Sequence, residues 1–157
     1  MKTLDLDSIE KEIEGGIDFL ILKFSEREVK IPLINGEDTC PKGSLRKYLE
    51  TMAIFFQIVK FETGFTRSYI SSLPNKTEKV HARAAIIAVF TKIYPGISPG
   101  FVVRLVGRSE RTVYNHAGNI HDNLMSSMND YDEKAKVYRR IIQRACEYFS
   151  LDYKRFC

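Results

Sequence analysis

Residues 97–124 read ISPGFVVRLVGRSERTVYNHAGNIHDNL, and the pattern of this stretch decides the fold. Ser98 followed by Pro99 predicts the start of a helix, because a serine oxygen can cap it and proline needs no donor in the first turn. Apolar residues fill the next two turns. Gly107 then predicts a sharp turn, since glycine tolerates the left-handed backbone that ends a helix. Ser109 is expected to cap a second helix.

The second helix of this stretch has two different faces. Val113, Ala117, Ile120 and Leu124 recur at spacings of four, three and four residues, which predicts one buried face. The opposite face is polar in its N-terminal half. Two short helices joined at a glycine, with a polar N-terminal half on the second, are typical of helix-turn-helix proteins, which place that helix in the major groove of DNA.

The polar face supplies candidate DNA contacts. Arginine pairs with guanine and asparagine with adenine, and Arg111 and Asn115 are expected to reach the groove together because they lie one turn apart. The residues predicted to read bases are Ser109, Glu110, Arg111, Thr112 and Asn115. The residues predicted to contact the DNA backbone or minor groove are Asn119 on this face and, in the basic central segment outside it, Lys76, Lys79, His81, Arg83, Arg104 and Arg108. His116 adjoins the apolar stripe and is predicted to be a partly buried structural histidine.

The charge of the chain is concentrated in its middle. The 157 residues carry a formal net charge of +4. Residues 60–120 contain nine Lys/Arg and three Asp/Glu, a net +6, whereas residues 1–59 carry a net −3. A basic segment attracts a polyanion, although a solvated lysine-rich helix face would give the same count.

Residues 44–128 are predicted to be a helical domain that contains this unit. Ser44 and Thr77 are expected to cap its other long helices, which Thr63-Gly64 and Pro95-Gly96 end; a short helix is predicted over 66–73. Residues 129–157 are predicted to form a C-terminal helix with Asp130 as its cap.

Residues 1–43 are predicted to be an appendage with a linker at 35–43. Asp7-Ser8-Ile9-Glu10 resembles a capping box at the start of a short helix. Residues 17–34 then have the alternation and the β-formers of a hairpin. An isolated hairpin is only marginally stable, so it is expected either to pack on helices or to pair with another chain, as it would in a homodimer. The fold class predicted is therefore mainly α, with a small N-terminal β-hairpin.

A family resemblance adds to this interpretation. Residues 102–113, VVRLVGRSERTV, resemble the C-terminal DNA-binding domain of the replication initiator DnaA, and residues 80–88 are similar to the helix that precedes the motif there. The resemblance covers roughly residues 50–125. It implies an all-helical, Trp-repressor-like fold in which the arginine before the recognition helix and the first residues of that helix touch DNA. Residues 109–116 also resemble the LuxR/GerE helix-turn-helix.

The chain departs from the DnaA pattern at the recognition helix. It has Arg108-Ser109-Glu110 where the family has Arg-Asp-His, and Asn115 where the family has histidine. Glu110 either accepts from cytosine N4 or faces phosphates unfavourably, so the alternative function is an assembly module that has lost DNA binding.

The other function classes lack their sequence signals. No Gly-x-x-x-x-Gly-Lys-Ser/Thr loop is present to cradle a nucleotide, so no ATPase and no nucleotide partner is expected. The three histidines are too scattered for a metal site, and no nucleophile–base set points to an enzyme. No cofactor is predicted.

The expected protein is a double-stranded DNA-binding accessory regulator of transcription or replication. Three widely spaced cysteines, an N-terminus without an apolar signal core and the lack of a long apolar run predict a cytoplasmic protein with no membrane partner.

Overall fold

The computed structural model of the chain describes residues 42–97, 99–107, 111–127 and 132–157, together with Asp7, Glu10, Lys11 and Ile13. For residues 42–46, Pro99 and Arg111 it describes the backbone only. The hairpin predicted over 17–34, on which the predicted association depends, lies outside the described residues.

The described part of the chain is mainly helical, as predicted. In chain order the helices are α1 (Lys42–Thr63), α2 (Arg67–Ser71), α3 (Thr77–Ile93), α4 (Pro99–Leu105), α5 (Arg111–Met125) and α6 (Glu133–Phe149), followed by a C-terminal 3-10 turn (Tyr153–Phe156). Asp7, Glu10, Lys11 and Ile13 are also helical, and the Ile13 side chain is buried. None of the helices within these described ranges is both long and apolar enough to cross a membrane.

Local signals account for several helix ends, with three corrections. The prediction that Ser44 caps the first long helix is wrong, because α1 begins two residues earlier, at Lys42. Gly64 follows α1 in the left-handed conformation, with a φ of 80°. The prediction that Thr77 caps α3 is wrong: Thr77 is the first helical residue and Lys76 occupies the cap without a side-chain hydrogen bond. The prediction that Asp130 caps α6 is also wrong. Asp132 directly precedes the helix, and its carboxylate accepts from the Ala135 amide at 3.2 Å.

α3 lies at the centre of the fold. Its residues from Ala82 to Phe90 are buried on almost every side, as expected for a helix surrounded by others. α5 packs against it most extensively, and α1, α2, α4 and α6 contact it as well. Aromatic rings join α1, α3 and α4: the Tyr48 ring lies 6.4 Å from that of Phe90 and 5.5 Å from that of Phe101. The central helix therefore fixes the orientation of α5.

α6 closes the opposite side of the core. Tyr138, Ile141, Ile142 and Ala145 are buried on its inner face. The carboxylate of Glu62, near the end of α1, pairs with two arginines of α6, Arg140 at 3.3 Å and Arg144. The Glu62 side chain is only 8% exposed, so this pair of contacts ties the first and last long helices together.

Candidate nucleic-acid interface

The turn between α4 and α5 is built around Gly107. Its φ is 93°, the left-handed conformation that the sequence predicts. Its amide donates to the Arg104 carbonyl at 2.9 Å, which ends α4. The Ser71 hydroxyl, at the end of α2, donates to the Val106 carbonyl at 2.7 Å. α4 begins at Pro99, as predicted, while Ser98 and residues 108–110 lie outside the described residues.

α5 presents the polar face that the sequence predicts. Thr112, Asn115 and Asn119 are exposed. The apolar stripe faces the core: Ala117 and Leu124 are buried, and Val113 and Ile120 are partly buried against it. Thr112 and Asn115 are thus the accessible members of the predicted base-reading set. Ser109 and Glu110, as well as Arg108, lie outside the described residues, and the Arg111 side chain is not described either.

Two cations predicted to contact the DNA backbone lie inside the protein. Lys79 is 3% exposed and Arg83 is 2% exposed. The Lys79 ammonium donates to the Ser72 hydroxyl at 2.8 Å and to the Pro74 carbonyl at 3.2 Å, and it lies 4.4 Å from the centre of the Tyr69 ring.

The Arg83 guanidinium donates to the Ile70 carbonyl and, at 2.8 Å, to Oδ1 of Asn75. Burial of these hydrogen-bonded cations satisfies the backbone carbonyls of α2 and of the segment after it. We therefore correct their assignment from DNA contact to support of the α2–α3 connection. A sequence signal for this burial exists, since Arg83 follows Ala82 and directly precedes the apolar run from Ala84 to Phe90.

The other predicted backbone contacts have different surroundings. Lys76 and Asn119 are exposed, whereas Arg104 and His81 are half-buried. Burial lowers the pKa of His81, and the nearby positive charge of Lys134 lowers it further. A neutral imidazole offers less to a phosphate than a cation does. His116 is exposed rather than partly buried, so that prediction is wrong.

His121 has a structural role that the sequence analysis missed. Its Nδ1 lies 2.6 Å from the Tyr138 hydroxyl and its Nε2 lies 2.9 Å from the Phe156 carbonyl oxygen. The carbonyl can only accept, so Nε2 carries a proton, and burial raises the pKa of Tyr138, which keeps its phenolic proton for Nδ1. His121 thereby joins α5 to α6 and to the C-terminal turn. Only the tertiary structure brings these three segments together.

Within the described ranges, no group of three or more His, Cys, Asp or Glu side chains is placed to hold a metal ion. Neither the protein-family models, nor the curated proteins, nor the solved structures compared with this chain give a match. The likeness of residues 102–113 to the DnaA domain therefore stays an expectation from those residues.

Proposed function

We propose that the chain is a sequence-specific double-stranded DNA-binding protein of the helix-turn-helix class, which acts as an accessory regulator of transcription or replication without an ATPase. The observation that carries the proposal is the exposed polar stripe on the first half of α5. Thr112, Asn115 and Asn119 are all accessible there, and the opposite face of the same helix is anchored on α3.

The stripe has the size and chemistry for base recognition. From Thr112 to Asn119 the helix rises about 10 Å, which corresponds to roughly three base pairs. An asparagine amide can donate to adenine N7 and accept from adenine N6, and a threonine methyl can contact the methyl group of thymine. α4 and the turn at Gly107 would then lie across the DNA backbone, as in other proteins of this class.

The distribution of charge limits the contact to the first half of α5. Asp122 is exposed one turn after Asn119, and a carboxylate there repels phosphates. Lys76 is exposed beside the start of α3, while Lys79 and Arg83 are internal. The net +6 of residues 60–120 therefore overstates the charge that DNA would meet. We expect about four phosphates to be neutralised, which corresponds to a log–log salt slope of roughly −3 to −4.

The test begins with selection of bound sequences from random duplexes, followed by fluorescence anisotropy on the preferred site at several salt concentrations. Asn115→Ala should weaken binding to that site by about 1–3 kcal/mol and flatten the preference at one or two base positions. Asn123→Ala is the matched control, because Asn123 is exposed on the same side of α5, about 12 Å further along the helix. It should bind like the wild type.

Two results would contradict the proposal. The first is a full-length chain that shows no binding to duplex DNA at about 50 mM salt, which would favour the assembly module instead. The second is an Asn115→Ala variant with the wild-type affinity and sequence preference, which would remove α5 as the reading helix.

A further inference from the structure

A cavity of about 310 Å³ with a mixed polar and apolar lining lies beside α5, between that helix, α3 and the C-terminal turn. Lys92 from the last turn of α3 and Arg155 from the C-terminal turn line it, facing Tyr114 and Gly118 of α5. We call these four residues the C-terminal flank. A second groove borders the other side of α5, along Thr112 and His116, and is lined by Asn75 and Arg83. The polar stripe of α5 therefore runs between this groove and the cavity that Lys92 and Arg155 line.

The two cations of the C-terminal flank are exposed, and Arg155 lies on a turn that the fold holds in place. Phe156 is 4% exposed and its carbonyl accepts from His121, which fixes the turn that carries Arg155 on the side of α5. The Asp152 carboxylate accepts from the Lys154 amide at 3.0 Å and so caps the same turn. Lys92 and Arg155 are both exposed. Neither makes an ion pair with any residue that the structure describes.

Gly118 occupies the middle of α5 without a packing reason. It is exposed, and a Cβ added to it would meet no heavy atom within 4 Å. Glycine inside a helix is less stable than alanine because it loses more backbone entropy on folding. Glycine inside a helix is useful where another backbone must approach the helix closely. The missing side chain leaves an open path from the polar stripe to Lys92 and Arg155.

We infer that the C-terminal flank is a phosphate-binding surface, on which the DNA strand beside α5 passes over Gly118 and is held by Lys92 and Arg155. The inference rests on the proposed function and adds residues that lie outside the predicted contact set. Asp122 is the acidic side chain among those that line the cavity, and it stands one turn beyond Gly118. Because its carboxylate repels phosphates, the DNA strand is expected to leave the helix at this point.

The charged residues are tested by salt dependence on the preferred duplex. Lys92→Gln and Arg155→Gln should each weaken binding about three- to ten-fold at low salt and make the log–log slope less negative by about 0.9, since each removes one phosphate contact. The control is Lys47→Gln, which removes an exposed cation from α1 and should leave both quantities unchanged.

Gly118→Ala should move stability and binding in opposite directions. The melting temperature should rise by about 1–4 °C, because alanine favours the helix and meets no neighbour. Affinity for the duplex should fall about three-fold or more, because the added methyl group stands in the path of the strand. Asn123→Ala, which also favours the helix, should keep its affinity.

The outcomes separate this inference from the proposed function. If the wild type does not bind duplex DNA, both are overturned. If Asn115→Ala loses sequence preference while the Lys92, Arg155 and Gly118 variants bind like the wild type, only the inference is overturned. A lower melting temperature for Gly118→Ala would show that the glycine serves the fold, which overturns the close approach.

Discussion

At the scale of single residues, the number of positively charged side chains differs from the number that DNA could contact. Lys79 and Arg83 lie one helical turn apart and contribute two of the nine positive charges in residues 60–120, yet both hydrogen-bond inside the protein. Lys76, three positions before Lys79, is exposed. The difference arises because the side chains of Lys79 and Arg83 reach carbonyls of α2 and of the segment after it, Pro74 and Ile70 respectively.

Lys79→Met and Arg83→Met are therefore expected to destabilise the fold. Arg83→Met removes the donor of the buried Ile70 carbonyl, and Lys79→Met removes two hydrogen bonds and the contact with the Tyr69 ring. The free energy of unfolding should fall by about 1–3 kcal/mol for each variant, as measured by urea denaturation. Lys76→Met should change it by less than about 0.5 kcal/mol. Wild-type stability combined with weaker DNA binding in the Lys79 and Arg83 variants would return both residues to the DNA-contacting set.

At the scale of elements, the α4–α5 unit depends on its neighbour α2. Ser71 donates to the carbonyl of Val106, and a Cβ on Gly107 would lie 2.9 Å from the Cβ of Ser71 and closer still to its hydroxyl. Gly107 therefore meets two requirements at once, a left-handed backbone and a close approach to α2. Gly64 meets only the first, since nothing lies within 4 Å of its Cβ position.

Alanine substitution separates these two requirements. Gly64→Ala should lower the free energy of unfolding by about 1–2 kcal/mol, the strain of a left-handed residue with a side chain. Gly107→Ala should lower it by about 2–4 kcal/mol, because overpacking against Ser71 adds to the same strain. Equal effects in chemical denaturation would show that α2 yields easily, and that the turn is not held by contact with it.

At the scale of the whole molecule, α1, α3 and α6 border a mostly apolar cavity of about 320 Å³ that His81 helps to line. His81 faces Glu78 on its own helix and Asp132 and Lys134 from the start of α6. Desolvation is the largest influence on the His81 pKa and lowers it, as does Lys134, while the two carboxylates act in the opposite sense. The junction of three helices thus favours the neutral imidazole.

This junction predicts a pH dependence of stability. Because the folded-state pKa of His81 is below its unfolded value of about 6.5, the unfolded chain takes up a proton first as the pH falls. The contribution of His81 to stability is fully present above a pH of about 6.5. It is lost as the pH falls from there through the lower pKa of the folded state. His81→Gln should reduce the loss of stability between pH 7.5 and about 5.5, measured by urea denaturation at each pH.

The matched control for that measurement is His116→Gln, which removes an exposed histidine from α5. It shows how much of the pH dependence comes from removing any histidine at all. If His81→Gln and His116→Gln change the pH dependence to the same extent, the burial of His81 is not its cause.

The sequence by itself determined the helical character of the chain and the local signals of the candidate site. The starts and stops at Pro99, Gly64 and Gly107, and the buried stripe of α5, follow from backbone preferences and apolar spacing over a few residues. Those effects act within one or two helical turns, which is why they can be predicted from the sequence.

Only the tertiary structure decided which polar residues are accessible. It placed Lys79 and Arg83 in the interior, exposed His116, and brought His121 to Tyr138 and Phe156 across 17 and 35 positions of the chain. It also set Arg155 beside Gly118. The physical reason is that burial of a polar group depends on partners supplied by other helices, and their positions are fixed by the packing of the whole core around α3.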